Sequence, residues 1–517
     1  MNFTDQPAAN EPSADTIFPL VEIVEAELPV AIDARFNNSA GDFRPRQLSL
    51  GGRLAWIVIG LVTLGVVGLV AFVKPRVESS SAPDASSAEL AQLEMQGKMF
   101  LALRELGPPA NAQPLPSDLD VGPVNQRLCY TILVNEISGP VAAREHFRTT
   151  AERIVAAQLT LTDEQTRLRS IIDSLIDDSA NSRSENEVIN PEDRQLLRKK
   201  LGWFGELILV PKEIADQTQR QSILAQATSS MFAIAVSLIG GILAAVVGLI
   251  VAIVLIVLLF SGKIHSRFAH QTSRHNLYAE TFALWMVVFF GGQIPFGLAL
   301  QVLGVDNEVS QMMWMPVLFF GSLLTLIWPV VRGIPWTEVR RDIGWKFGNP
   351  FVEGGLAIVA YVALLPAIVL SMLLVIVLIT MFGQRQSVDS FSRQGGPSHP
   401  IQEYIAEGNL AVLGMILVMA CVAAPIVEET MFRGVFFRHL RDLSSGWQRG
   451  ASLGLACLIN SFVFAAIHPQ GLFGIPMLMT LAIGFSLARE WRGSLLAPML
   501  MHALNNFLIT MMAFWVM

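Results

Sequence analysis

Nine stretches of this chain are apolar for roughly 18 residues or more and almost free of charge, the length a helix needs to cross the hydrocarbon core of a bilayer. They fall at 54–73, 231–260, 279–304, 311–331, 354–382, 409–439, 452–470, 472–488 and 494–516. Lipid offers no water to satisfy backbone N–H and C=O groups, so each run is constrained to be helical. The expected fold class is all-α: a polytopic transmembrane helical bundle of about eight to nine spans, with an inserted helical extramembrane domain.

Composition agrees. Of 517 residues, 52% are hydrophobic and 15% charged, where soluble domains carry about a quarter charged residues. The net charge of −7, without clustered Lys or Arg, excludes a nucleic-acid partner. Cys129, Cys421 and Cys457 lie far apart, two of them in apolar runs. They read as small core residues, not as a disulfide framework or a Cys-rich metal site. Residues 1–50 hold scattered acids and no apolar run, which predicts a disordered N-terminal tail and no signal peptide.

The chain then divides into a transmembrane helix at 54–73, an extramembrane helical domain at 78–228, transmembrane helices with an interfacial segment at 231–349, and a membrane core at 350–517. The middle domain shows mixed apolar and charged helical patterning at Leu161–Ile176 and Pro191–Leu209 and no catalytic signature. The segment 332–353 is basic and aromatic and is expected along the interface. Gln293 and Pro295 mark a helix kink, and the Met-rich stretches are apolar filling. Cations follow the second span (Lys263, Arg267, Arg274), the fourth (Arg332, Arg340, Arg341, Lys346), the sixth (Arg438, Arg441, Arg449) and the eighth (Arg489, Arg492). By the positive-inside bias this predicts a multi-pass cell-membrane protein with a cytoplasmic N-terminus and an extracytoplasmic 78–228 domain.

Ionisable groups inside a bilayer cost several kcal/mol, and they pair, face a cavity or do chemistry. Three spans break the apolar rule: the sixth with Glu428, Glu429 and Arg433, the seventh with Asn460 and His468, the ninth with His502, Asn505 and Asn506. Glu429 and Arg433 are four apart and share a face, so they can neutralise each other. Glu428 lies about 100° around the helix from Glu429, on the face of Phe432. It is left without a local cation, as suits a general base. Asn460, Phe464 and His468 recur every four residues along one face, and Pro469 ends that helix. His502 and Asn506 are also four apart, while Asn505 faces elsewhere and reads as packing.

At a rise of about 1.5 Å per residue, Glu428 and His502 each lie about 15 Å from the nearest flanking arginine, near the midplane. His468 falls closer to the far surface. It meets the others only if residues 442–454 lie along the interface before the seventh helix dips in.

Glu428-Glu429-x-x-x-Arg433, then Phe464-x-x-x-His468, then His502-x-x-x-Asn506, in that order, resembles the CPBP family of intramembrane glutamic endopeptidases. That family includes the CAAX prenyl proteases and the bacteriocin-processing or immunity proteins, also called the Abi family. The resemblance covers about 350–517 and leaves the first helix and the 78–228 domain outside it. It implies peptide-bond hydrolysis of a membrane-associated protein or peptide, by a water that Glu428 activates and His468 orients. His502 and Asn506 would stabilise the oxyanion, with Glu429, Arg433 and Phe464 as structural support and no metal. It does not select a prenylated substrate.

Three other readings stay open on the same residues. Glu428, His468 and His502 could supply three zinc ligands with water as the fourth, although no H-E-x-x-H pair is present. The groups could form a proton relay in a coupled transporter, although no repeat relates the two halves. The chain could also be a membrane scaffold that binds partners without turnover.

Overall fold

The structure is a computed structural model that describes residues 47–72, 82, 84–106, 115–181, 189–210, 217–268, 275–305, 308–346, 348–382, 391 and 410–516. Residues 1–46 of the expected tail lie outside the described residues, as does Arg274 among the flanking cations. The described chain is an all-α polytopic bundle. Nine of its helices are long and apolar enough to cross a membrane.

The first, α1 (Leu50–Phe72), precedes the extramembrane helices α2 (Ser87–Leu106), α3 (Val124–Ser138), α4 (Pro140–Ala156), α5 (Asp163–Asn181), α6 (Pro191–Leu201) and α7 (Trp203–Leu209). This domain has its own apolar core, which includes Leu128, Ile132, Leu133, Ile172 and Phe204. Cys129 lies buried there; of the two cysteines in apolar runs, Cys457 is buried as a core residue and Cys421 is only partly so. Phe391, from the connection between two later helices, is buried in the same core, with the Arg127 guanidinium 4.2 Å above its ring.

The span expected at 231 starts earlier. Helix α8 (Thr218–Phe260) has 43 residues, so it is about 64 Å long. Its first turns belong to the extramembrane domain: Arg220 donates to the Val210 carbonyl (2.7 Å) and to Glu136 (2.6 Å). Hydropathy marks only the apolar part of a helix, so the polar beginning escaped the reading.

The third span is broken into α9 (His275–Gly291) and α10 (Gln293–Val302) at Gly292. Helix α11 (Glu308–Ser322) runs on through a 3₁₀ turn into Ile327–Val331. The segment expected along the interface is only partly so. Its short helix α12 (Trp336–Ile343) buries Val339, Asp342 and Ile343 in the bundle, and Pro350 already opens α13 (Pro350–Phe382). Gly344 ends α12 at φ +88°, where a Cβ would meet the Arg489 guanidinium at 2.6 Å; only glycine accommodates both.

The next rod, α14, joins Leu410–Val418, a π-helical Met419–Ala423, Ala424–Glu429, a second π-helical Thr430–Phe436, and Phe437–Leu443. After it come α15 (Arg449–Ala466), α16 (Gly471–Arg492) and α17 (Leu496–Val516). An aromatic cluster fastens α9 to α14. Phe282 stacks on Phe436 at 4.4 Å, and Phe282 and Trp285 meet Phe432 edge-on at 5.1 and 5.7 Å. Such pairs contribute about 0.5–1.5 kcal/mol each beyond area burial. At one end of the bundle, ion pairs Arg441–Glu490 (2.8 Å) and Arg492–Glu353 (2.6 Å) tie α13, α14 and α16 together, beside the Arg438–Asp442 pair (2.7 Å) within α14.

One charge cluster outside the membrane has a pH signature. Asp120 lies 2.8 Å from Arg153, 3.1 Å from His146 and 3.4 Å from Arg127. Burial alone would raise its carboxyl pKa. The His146 imidazole first, then Arg127 and Arg153, reverse this and hold it below the ordinary 3.8. A depressed folded-state pKa contributes stability that is fully present above the unfolded value and lost as pH falls through the folded one. Melts of the full chain in detergent from about pH 5 down to about pH 2 should show this loss, and Asp120→Asn should flatten it. An unchanged pH dependence in the variant would count against the cluster as its source.

Candidate active site

The second half of the bundle is built around an irregular helix, and the irregularity starts with a proline. Pro425 has no N–H, and the Ala424 N–H reaches back five residues to the Met419 carbonyl. The Ala420 carbonyl therefore lacks its helical donor. Asn506 on α17 supplies one, its Nδ2 donating at 2.7 Å. A π-helical turn in α14 and an asparagine one helix away thus satisfy each other.

Below this turn the two adjacent glutamates separate. Glu429 and Arg433 are fully buried and pair at 2.9 Å, the expected structural ion pair. Arg433 also donates to the Ala482 carbonyl at 3.1 Å, and its guanidinium lies 4.5 Å over the Phe464 ring. His502 Nδ1 donates to the same Glu429 oxygen at 2.9 Å, and its ring stacks on Phe485 at 5.2 Å.

Glu428 faces the imidazoles. Its Oε2 lies 3.7 Å from His468 Nε2 and 3.9 Å from His502 Nε2, and it has no hydrogen-bond partner among the described residues. These separations exceed direct hydrogen bonding and suit one bridging water. The tautomers follow from the partners. His468 Nδ1 donates to the Phe464 carbonyl, and His502 Nδ1 to a carboxylate; both partners only accept. Each Nε2 is thereby turned toward Glu428.

His468 gets there without the interfacial stretch expected at 442–454: α14 ends at Leu443 and α15 begins at Arg449. The depth estimate counted backbone rise alone. Side chains lean toward the N-terminus of their own helix, and α14 and α15 run antiparallel across a short turn. Glu428 therefore leans deeper and His468 leans back, closing a gap of about 6 Å.

Not every expected residue joins. Asn460 donates to Ser486 on α16 at 3.1 Å and belongs to helix packing. Asn505, expected only to pack, is tied to the site: it donates to Asn506 Oδ1 at 3.2 Å and accepts from the Tyr361 hydroxyl at 3.2 Å. Sequence reading also missed His439, which accepts from Trp56 Nε1 at 3.0 Å and joins α1 to α14. The one signal for the irregular backbone was Pro425 inside a long apolar run. Among the described residues, no group of three or more His, Cys, Asp or Glu side chains is arranged to hold a metal ion.

Removing one partner from a buried pair leaves an uncompensated charge. Arg433→Met is expected to cost about 3–5 kcal/mol, read as a lowered melting point of the detergent-solubilised protein. A wild-type melting point would show the pair contributes little.

Comparison with known proteins bears on the same residues. The family profile described as Type II CAAX prenyl endopeptidase Rce1-like matches residues 410–508, which hold Glu428, His468, His502 and Asn506. The chain is 33% identical over 85 residues to the membrane-embedded CAAX protease MroQ of Staphylococcus aureus, covering 16% of this chain and 34% of that protein. It is 30% identical over 109 residues to an uncharacterized 24.3 kDa protein of Escherichia coli, covering 20% and 48%. The chain thus spans between a third and a half of the length of these relatives. No solved structure matches it. Residues 410–508 are thus similar to the Rce1-like CAAX prenyl endopeptidases, within a larger multi-pass membrane protein.

Proposed function

We propose that the chain is an intramembrane endopeptidase that hydrolyses peptide bonds of membrane-associated proteins or peptides, with Glu428 as general base. The observation that carries this reading is the buried, unpartnered Glu428 Oε2 facing two imidazole Nε2 atoms at 3.7 and 3.9 Å. A water held among these three atoms gives its proton to Glu428 as its oxygen attacks the peptide carbonyl carbon. The carbonyl oxygen becomes an oxyanion. Glu428 then passes the proton to the amide nitrogen, and the C–N bond breaks.

The neighbours divide the remaining work. His468, held by the Phe464 carbonyl, orients the water. His502 is held through Nδ1 by Glu429, as a carboxylate orients the histidine of a catalytic triad. With Asn506 it would stabilise the oxyanion, Asn506 through its second amide hydrogen, where preorganised donors are worth the most. Arg433 pairs with Glu429 and fixes its place beside His502, and Phe464 separates Arg433 from His468. No metal is required by this scheme.

The orientation that fits is a cytoplasmic N-terminus with the α2–α7 domain on the opposite side. Lys263, Arg267, Arg332, Arg340, Arg441 and Arg492 all follow or end helices at one end of the bundle, the charge bias of a cytoplasmic face.

Glu428→Gln removes the base and keeps the shape. Cleavage of a membrane-peptide library by the full-length protein is expected to fall about 10²–10⁴-fold, with insertion and melting point retained. Cleavage persisting in the variant sinks the assignment. A wild-type protein that turns over no member of the library favours the transporter or scaffold readings.

A further inference from the structure

Helix α1 lies outside residues 410–508, yet it reaches the candidate site. Val67 of α1 lines a small cleft together with Ala466, His468, Gly471, Leu472 and Ile475. His468 therefore belongs both to the Glu428 cluster and to this cleft. The free volume is about 10 Å³, room for about one water.

Helix α1 flanks the cleft with its less buried half. The first half of α1 is anchored: Ala55, Ile59 and Thr63 are buried, and Trp56 bonds His439. From Leu64 to Leu69 no residue is buried, and Leu64 and Leu69 are 70% and 65% exposed. The helix is thus pinned at one end and open toward lipid beside the imidazole. On the facing side, Gly471 sits at φ +71°, a conformation other residues rarely adopt, so the backbone itself keeps that wall free of a side chain.

The geometry points to this cleft as a side-chain subsite of the peptidase, walled by α1 and α16, with Val67 as a specificity-determining residue. Its occupant is a small apolar side chain, alanine-sized, on a substrate residue flanking the cleaved bond. The lining is apolar apart from His468, and a substrate segment lying in lipid reaches it laterally past the more exposed second half of α1. This inference rests on the peptidase reading above.

The test uses the full-length protein and membrane peptides that differ only at the residues flanking the cleaved bond, as Ala, Val, Leu or Phe. The wild type is expected to prefer Ala. Val67→Ala and, on the opposite wall, Leu472→Ala should each raise kcat/KM for the larger residues relative to Ala by about 10-fold or more, the range one methylene commands in an apolar pocket. Val67→Trp should weaken cleavage of every peptide, mainly through KM; if that variant does not fold, the two alanine variants still decide. An Ala-to-Leu preference identical in wild type, Val67→Ala and Leu472→Ala overturns the subsite. If Glu428→Gln is inactive while those preferences stay fixed, only the subsite falls. If Glu428→Gln still cleaves, the assignment of Glu428 as base falls, and the subsite is decided by the Val67→Ala and Leu472→Ala preferences alone.

Discussion

A carboxylate and a guanidinium buried together hold this site in place. Glu429 and Arg433 have no exposure, and the pair is not closed on itself: the same glutamate oxygen takes the His502 N–H, while Arg433 reaches the Ala482 backbone and lies over Phe464. Three helices, α14, α16 and α17, are thereby pinned to one ion pair. Charges in a bilayer are costly unless compensated, so this compensation makes the arrangement highly specific. Any shift of α17 relative to α14 would strip Glu429 of its second partner.

Within that frame the two neighbouring glutamates do different things because of their surroundings alone. Glu429 shares its Oε1 between Arg433 and His502. Glu428, one residue earlier, turns to a space bounded by imidazoles and keeps an oxygen free. Asn506 uses both ends of its amide, donating to the Ala420 carbonyl and accepting from Asn505.

Much of this was legible in the sequence. Long apolar runs dictate the membrane helices, and polar residues within them stand out because lipid penalises them. The i, i+4 spacing of Glu429 and Arg433 was enough to assign their pairing. What escaped depends on features that spacing does not encode. The start of α8 is polar and so invisible to hydropathy. The role of Asn505 arises from Tyr361 on a distant helix. The reach of His468 comes from side-chain direction, not backbone depth, and α12 lies deeper than its charged residues suggest because Val339 and Ile343 face inward.

Helix α8 runs from the extramembrane domain into its apolar span without a break in 43 residues. A continuous α-helix of that kind has no joint between the two parts, so the domain is mounted on a stiff mast, not tethered by a flexible leash. The mast is clasped to α13 where Gly248 lets the Val362 backbone approach closely, and Phe391 returns the chain that follows α13 to that domain's core. The domain is thus attached to the bundle through two rods that pack on each other.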